Sequence, residues 1–233
     1  YWPFYYWRYY LPVKDLLRTE HLSRKDVELI LDTAAGFAEK PLSAKKTLKN
    51  RTVAIYMTKP STRTRLASET AVAHLGGTPI FLRGDDLQIG RGESISDTAK
   101  IISGFASALI VRTFKQSDVD ELGKYASIPV INALTDDDHP TQLLADVWMS
   151  MGDPESERAE KLAALSPFAV TENLMSLTTK DSIFMHCLPA HRGEEVSAEV
   201  LDGSKSVIWR EAFHRRTTIQ AILYHLVRGD LKG

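Results

Sequence analysis

A run of hydroxyl and guanidinium side chains, Ser61-Thr62-Arg63-Thr64-Arg65, stands between an apolar segment and a helical pattern. The apolar residues 53–57 predict a buried strand, which places the run at the N-terminus of the next helix. The first N–H groups of a helix have no partner within it, and the helix dipole favours an anion there. Because Arg63 presents a planar fork and the hydroxyl groups are donors, the run predicts a site for a small phosphorylated ligand. The alternative is an ordinary helix cap followed by surface arginines.

Two further segments carry polar side chains in compact motifs. They are His139-Pro140-Thr141-Gln142 and His186-Cys187-Leu188-Pro189. Together with the run at 61–65, they resemble the aspartate/ornithine carbamoyltransferase family. The cysteine motif and Ser150-Met151-Gly152 resemble the ornithine branch of that family in particular. The resemblance extends over about residues 13–152 and from about residue 165 towards the C-terminus.

The resemblance implies a carbamoyl-phosphate site. Arg112 would bind phosphate and carbonyl together, His139 would donate to the carbonyl oxygen, and Gln142 would hold the carbamoyl amide. The alternative for His139 is a histidine that merely caps the helix before Pro140. The residues assigned to the phosphate share a hydroxyl or guanidinium group and are Ser61, Thr62, Arg63, Thr64 and Arg215. The implied catalytic set is Arg63, Arg112, His139 and Cys187.

The same resemblance implies an ornithine site. Cys187 and Leu188 would line the amine-acceptor side next to the carbamoyl group, with the thiol near the attacking nitrogen. Asp146, Ser150 and Met151 would contact the α-amino end of ornithine. We do not expect Cys187 to be a covalent nucleophile, because this transfer needs none. A small buried residue that ends a strand is the alternative for a lone cysteine.

The reaction implied is the attack of a neutral amine on the carbonyl carbon of carbamoyl phosphate, which turns ornithine into citrulline and releases phosphate. Catalysis would consist of positioning and of stabilising charge on the carbonyl oxygen and the leaving phosphate. The resemblance implies no metal and no organic cofactor. Gln88 matches a loop residue that reaches into the neighbouring subunit's site in this family, which implies a homotrimer. The alternative is a solvated loop glutamine.

Alternating strand and helix patterns must position these residues. Ser23 with Asp26, and Ser117 with Asp120, predict capped helix starts, and Gly76 with Gly77 predicts a helix end. Strands are predicted at 52–57, 78–82, 108–111 and 129–132. This order predicts an α/β fold with a parallel sheet flanked by helices. Ligands bind outside the carboxyl ends of such strands, so the motifs at 61, 112 and 136–139 would meet at one edge.

The second half of the chain departs from the family. We predict helices at 140–149, 155–165 and 216–227, and strands at 182–187 and 206–209. The asparagine motif that holds ornithine in the family is missing, and residues 143–146 lead straight into 147–152. This predicts an internal deletion and a truncated second α/β lobe, whose two strands lack their usual neighbours. The expected domains are an aromatic extension at 1–12, a carbamoyl-phosphate domain at 13–138 and an ornithine domain at 139–233.

The composition excludes several classes of protein. A hydrophobic content of 43%, a charged content of 25% and a net charge of -1 are typical of a globular protein, and spread lysines and arginines give no footprint for nucleic acid. Cys187 is the only cysteine, so an intrachain disulfide is excluded and a cytoplasmic setting is expected. No apolar run approaches the ~18 residues that cross a bilayer.

Three functional hypotheses remain from the sequence. The first is an ornithine carbamoyltransferase with an intact carbamoyl-phosphate half. The second keeps the chemistry but uses another amine, such as putrescine; the retained Ser150-Met151-Gly152 argues against it. The third is a catalytically impaired relic or scaffold that binds carbamoyl phosphate, which the missing asparagine motif favours.

Overall fold

The computed structural model describes residues 15–89, 92–144 and 169–231. The chain divides into two compact units. The first comprises Tyr1–Leu144 and His214–Gly233, and the second comprises Ala145–Phe213. Residues 145–168 lie outside the described part of the chain, and so does the aromatic start. The helix predicted at 155–165 and the predicted deletion junction fall in the first of these segments.

A four-stranded parallel sheet forms the centre of the first unit, with the strand order β2-β1-β3-β4. The strands, in chain order, are β1 (Thr52–Met57), β2 (Thr78–Arg83), β3 (Leu109–Arg112) and β4 (Val130–Leu134). All four match the predicted positions to within two residues. Outside β4, Leu16 makes a single parallel bridge to Ile131 and extends the sheet by one step. The predicted parallel α/β fold is therefore confirmed.

Helices connect the strands, as parallel pairing requires. Those of the first unit are α1 (Arg24–Glu39), α2 (Thr62–His74), α3 (Ile95–Phe105), α4 (Gln116–Tyr125) and α5 (Pro140–Leu143), after a 3-10 turn at Thr19–His21. Those that follow are α6 (Glu172–Ser176), α7 (Ala198–Leu201) and α8 (Ile208–Arg228). The last helix starts eight residues before the predicted 216, and its residues from His214 onward belong to the first unit.

Both faces of the sheet are covered. In β1, Val53, Ile55 and Met57 point into one apolar cluster, while Ala54 and Tyr56 point into another. This is the period of two that a strand imposes on its side chains. Helices α1, α2 and α8 contribute to the first cluster, and α3 and α4 contribute to the second. Two-sided burial explains why β1, β3 and β4 are nearly continuous apolar runs.

The predicted helix ends are mostly confirmed. Ser23 and Asp26 form a reciprocal capping box at the start of α1. Gly76 follows α2 with a φ of +84°, and a Cβ there would lie 1.8 Å from the carbonyl oxygen of Lys45, so only glycine fits. The predicted cap at Ser117 is wrong, because α4 begins at Gln116 and the residue at its N-cap, Lys115, makes no capping hydrogen bond with its side chain.

The two strands predicted at 182–187 and 206–209 are wrong. The segments touch through a single parallel bridge between Phe184 and Ser206, and Ile208 already begins α8. Phe184 and Ile208 instead bury their side chains in a small cluster within the second unit, together with Val200. A pair of short strands without further neighbours is marginal, so local helix formation prevails at 208. None of the helices in the described ranges combines the length and the apolar character that a membrane span needs.

The carboxyl group of Asp15 makes the stability of the first unit depend on pH. It accepts a hydrogen bond from the amide of Val130 at 2.8 Å, and burial raises its pKa from 3.8 to about 6. Because the folded pKa lies above the unfolded value, folding favours the protonated form. The resulting penalty on stability is absent below pH 3.8, grows from there, and is complete above about pH 6.

Replacing Asp15 by asparagine should therefore stabilise the protein at neutral pH, since asparagine keeps the acceptor and removes the charge. We expect a gain of roughly 1–2 kcal/mol at pH 8 that shrinks towards zero at pH 4. Denaturant unfolding of both proteins at several pH values measures it. Asp32→Asn, at an exposed position of α1, is the control. An equal gain at pH 4 and pH 8 would contradict the assignment.

Candidate functional site

The N-terminus of α2 lies where the sequence predicts it. Ser61 caps the helix in an extended conformation, and its side-chain oxygen accepts from the amide of Thr64 at 3.2 Å. Thr62 and Arg63 occupy the first two helical positions, whose amides have no acceptor inside the helix. The run is therefore a helix N-terminus with hydroxyl groups and a guanidinium group on its first turn.

Arg112 joins this helix terminus to the next strand of the sheet. It ends β3 and lies opposite Met57, the last residue of β1. Its Nη1 donates to Oγ1 of Thr64, which is fully buried, at 3.3 Å. Its Nε is buried and makes no hydrogen bond within the described residues. The guanidinium group thus lies beside the first turn of α2 with a donor still available.

The turn that leads to His139 is held at both ends by Thr135. The Thr135 amide donates to the carbonyl of Asp138 at 2.8 Å, and the Thr135 hydroxyl accepts from the amides of Asp137 and Asp138 at 3.3 and 3.1 Å. That hydroxyl donates in turn to Oε1 of Gln116 at 2.7 Å, between two buried side chains. The backbone just before His139 is therefore tied to α4.

Further contacts attach this turn to its surroundings. Asn132 donates to Oε1 of Gln116 at 3.2 Å. The carboxylate of Asp138 accepts from the amide and the hydroxyl of Thr19 at 2.6 and 2.9 Å. Lys59 forms an ion pair with Asp136 across the strand ends. Side chains from four parts of the chain thus position the residue that follows the turn.

Three basic side chains come together at this edge of the first unit. Burial and the charge of Arg215 lower the pKa of Arg112 to about 10. Burial, together with the charges of Arg215 and Arg112, lowers the pKa of His139 well below its usual value. Arg215, on α8, is itself buried. At neutral pH the site therefore holds two cations and a neutral imidazole, an arrangement that favours an anion.

Gln142 offers an acceptor next to these donors. It lies in the single turn of α5, three residues after His139, and its Oε1 is buried without a hydrogen bond in the described part of the chain. A buried acceptor of this kind costs free energy unless a donor reaches it. An N–H group of a ligand would supply that donor. Gln88, by contrast, lies exposed in the loop after β2.

Arg112 should destabilise the ligand-free protein, because its charge is half-buried near Arg215. We expect Arg112→Gln to raise the melting temperature in phosphate-free buffer by roughly 2–4 °C, for ~1 kcal/mol. Thermal unfolding measures this shift, and added inorganic phosphate should stabilise the native protein more than the variant. A melting temperature several degrees lower in the variant would show that the charge is fully compensated.

The cysteine motif belongs to the second unit. Cys187 and Leu188 are buried, and Leu188 has a φ of +57° before a cis bond to Pro189. The amide of Leu188 donates to Nδ1 of His186 at 2.9 Å, and Nε2 of that ring lies 3.5 Å from Glu195. The amide of His186 donates to Glu211 at 2.8 Å. These contacts fix the backbone around Cys187.

Not every residue of the predicted motifs belongs to the cationic site. Arg65 donates to Glu69 at 2.9 Å and lies over the ring of Phe81, so its guanidinium group is held by these two side chains. Three of the predicted ornithine ligands lie outside the described residues, namely Asp146, Ser150 and Met151. The sequence predicts no role for Thr135, Gln116 or Thr141. The available signal was the spacing of the two threonines. Thr141 lies two residues after His139, and Thr135 lies three residues before Asp138, at distances from which a hydroxyl group often bonds locally.

The fold and the site define an α/β protein with a cationic ligand site at the carboxyl edge of its parallel sheet, which is where such folds bind ligands. Two sequence models of one family match the chain. The carbamoyl-P binding domain of aspartate/ornithine carbamoyltransferase matches residues 14–151, and the Asp/Orn binding domain matches residues 130–226.

Individual relatives agree with this match. The ornithine carbamoyltransferase of Anoxybacillus flavithermus is 32% identical over 304 residues, which covers 92% of this chain and 96% of the relative. The solved ornithine carbamoyltransferase of Pyrococcus furiosus superposes with a TM-score of 0.85 at 31% identity, covering 94% of this chain and 98% of that one. The solved enzyme of Thermus thermophilus has a TM-score of 0.83 at 27% identity, with coverage of 93% and 99%.

The chain belongs to the aspartate/ornithine carbamoyltransferase family, and by this resemblance it is a carbamoyltransferase of the ornithine type. It is nevertheless shorter than these relatives. The alignment to the Anoxybacillus protein spans 304 positions, whereas the chain has 233 residues, so part of the relative has no counterpart here.

Proposed function

We propose that this protein transfers the carbamoyl group of carbamoyl phosphate to the side-chain amine of ornithine, giving citrulline and phosphate. The observation that supports this most strongly is the meeting of Arg112, His139 and Arg215 beside the first turn of α2. A relative from Pyrococcus furiosus bears the name of an anabolic ornithine carbamoyltransferase, which is consistent with a role in arginine biosynthesis.

In this proposal the phosphate of carbamoyl phosphate binds at the start of α2. The free amides of the first turn and the side chains of Ser61, Thr62 and Thr64 donate to its oxygens, with Arg63 as a bidentate partner. An anion at this position would lie near the cationic side chains of Arg112 and Arg215, whose charges favour its binding.

The carbamoyl group would then lie between Arg112, His139 and Gln142. Arg112 donates to both phosphate and carbonyl oxygen, and the neutral His139 donates an N–H to the carbonyl oxygen. The buried Oε1 of Gln142 accepts from the carbamoyl NH₂ group. Attack by the neutral amine forms the C–N bond and breaks the C–O bond to phosphate, and the departing phosphate takes the proton that the nitrogen loses. Donors aimed at the carbonyl oxygen stabilise the charge that develops there.

Cys187 and Leu188 would line the site of the acceptor amine, and the α-amino end of ornithine would contact Asp146, Ser150 and Met151. We further propose a homotrimer in which Gln88 reaches the neighbouring subunit's site, in keeping with its exposed position after β2. Domain bounds of 13–138 for carbamoyl phosphate and 139–233 for ornithine complete the proposal.

A second candidate is a relic or scaffold that binds carbamoyl phosphate without turnover. The specific observation in its favour is the part of the relatives that has no counterpart in this chain. Isothermal titration with carbamoyl phosphate, followed by ornithine in the same cell, separates the two candidates. Binding of both with release of citrulline supports the transferase, and binding of carbamoyl phosphate alone supports the relic. Binding of neither ligand would overturn both candidates. Carbamoylation of putrescine, without formation of citrulline from ornithine, would identify a different acceptor amine.

A further inference from the structure

The imidazole of His139 has one hydrogen-bond partner in the described part of the chain, and that partner is Thr141. Oγ1 of Thr141 lies 3.2 Å from Nδ1 of His139. Thr141 is fully buried in the single turn of α5, so water does not compete for its hydroxyl group. The contact therefore links the side chain of a residue without an assigned role to the ring that faces the ligand site.

The direction of this hydrogen bond follows from the burial of Thr141. A buried hydroxyl proton needs an acceptor. Within the described ranges, Nδ1 of His139 is the hydrogen-bond partner of the Thr141 hydroxyl. If Nδ1 carried a proton and donated it to Thr141, the threonine proton would be left buried without an acceptor, which is unfavourable. The hydroxyl therefore donates and Nδ1 accepts.

We infer that Thr141 is a positioning residue that fixes the tautomer of His139, leaving the imidazole proton on Nε2. In a neutral imidazole one nitrogen donates and the other accepts, so an occupied Nδ1 makes Nε2 the donor. This deepens the proposed function and rests on it for its consequence: Nε2–H is the group that donates to the carbonyl oxygen of carbamoyl phosphate.

The charges around the ring make this tautomer matter. Burial, together with the charges of Arg215 and Arg112, lowers the pKa of the imidazole and keeps it neutral, so His139 has a single proton to offer. A protonated ring would donate from both nitrogens, whatever its neighbour. A neutral ring donates from only one, and the wrong tautomer would point a lone pair at the carbonyl oxygen.

The test compares Thr141→Val, which removes the hydroxyl at nearly equal volume, with Thr141→Ser, which keeps it. Long-range ¹H–¹⁵N spectra at pH 7 report which ring nitrogen is protonated, and the spectrum of His139→Ala identifies the signals among those of the seven histidines. We expect the native protein and Thr141→Ser to hold the proton on Nε2, and Thr141→Val to show a mixture of tautomers. Its kcat should fall roughly 10-fold while the Kd for carbamoyl phosphate stays within about 2-fold.

The outcomes separate this inference from the function on which it rests. Proton placement in Thr141→Val identical to that of the native protein overturns the inference, even if the native enzyme is active. Absence of carbamoyl-phosphate binding in the native protein overturns the proposed function, while the spectra still decide the tautomer. Thermal unfolding checks that each variant folds. Should Thr141→Val fail to fold, Thr141→Ala, which lacks the hydroxyl without overfilling the site, takes its place with the same expected spectrum.

Discussion

Replacing Arg63 by alanine should abolish measurable binding of carbamoyl phosphate while leaving the fold intact. Arg63 occupies the second position of α2, on the turn whose amides are free for an anion. Each hydrogen bond from a charged group contributes about 1.5–3 kcal/mol, so a lost two-bond contact lowers affinity by roughly 10²-fold or more. Isothermal titration with carbamoyl phosphate measures the effect.

The same helix provides a matched control in Arg65. That arginine has the same charge and lies two residues further on, but its guanidinium group is held by Glu69 and by the ring of Phe81. Arg65→Ala should therefore bind carbamoyl phosphate within about 2-fold of the native protein, since exposed ion pairs contribute little. Equal affinities in the Arg63 and Arg65 variants would overturn the assignment of the phosphate site.

The second large effect concerns turnover rather than binding. His139→Ala removes the donor that we assign to the carbonyl oxygen, an interaction that strengthens as charge develops in the transition state. Loss of one such donor costs about 10²–10³-fold in kcat. We expect that loss together with a much smaller change in the Kd for carbamoyl phosphate, because the phosphate contacts remain.

Steady-state citrulline formation and titration of the same samples measure both quantities. His21→Ala, at an exposed position of the 3-10 turn, should leave them unchanged. The native kcat should also show no step near pH 6.5 from His139, because its pKa lies well below that value and the ring is neutral throughout. A variant with native kcat would overturn the assignment of His139 to the carbonyl oxygen in the transition state. If that variant also bound carbamoyl phosphate more weakly, His139 would contribute to binding instead.

Much of the first unit was predictable from the sequence because its signals are local. The apolar runs of β1, β3 and β4 and the caps at Ser23 and Gly76 depend on residues a few positions apart. Parallel pairing then brings the carboxyl ends of the strands to one edge. The placement of Ser61, Arg112 and His139 at that edge follows from pattern and topology together.

The second unit was predicted less well, for the opposite reason. Residues 182–187 and 206–209 have apolar side chains that suit a strand, but a strand needs neighbours for its hydrogen bonds. The chain supplies one bridge between Phe184 and Ser206, and the second segment joins a helix that begins at Ile208. Propensity was overridden by the partners available in the fold.

The sequence by itself determined the family, the parallel α/β fold and the position of the helix N-terminus to which we assign the phosphate. Each of these can be predicted from short motifs and from the spacing of apolar residues. The tertiary structure alone decided the electrostatics of the site. Arg215 reaches Arg112 and His139 from a helix far along the chain, and Gln116 holds the turn before His139 from another. Such contacts depend on the packing of separate elements, and burial then sets how strongly the charges act on one another.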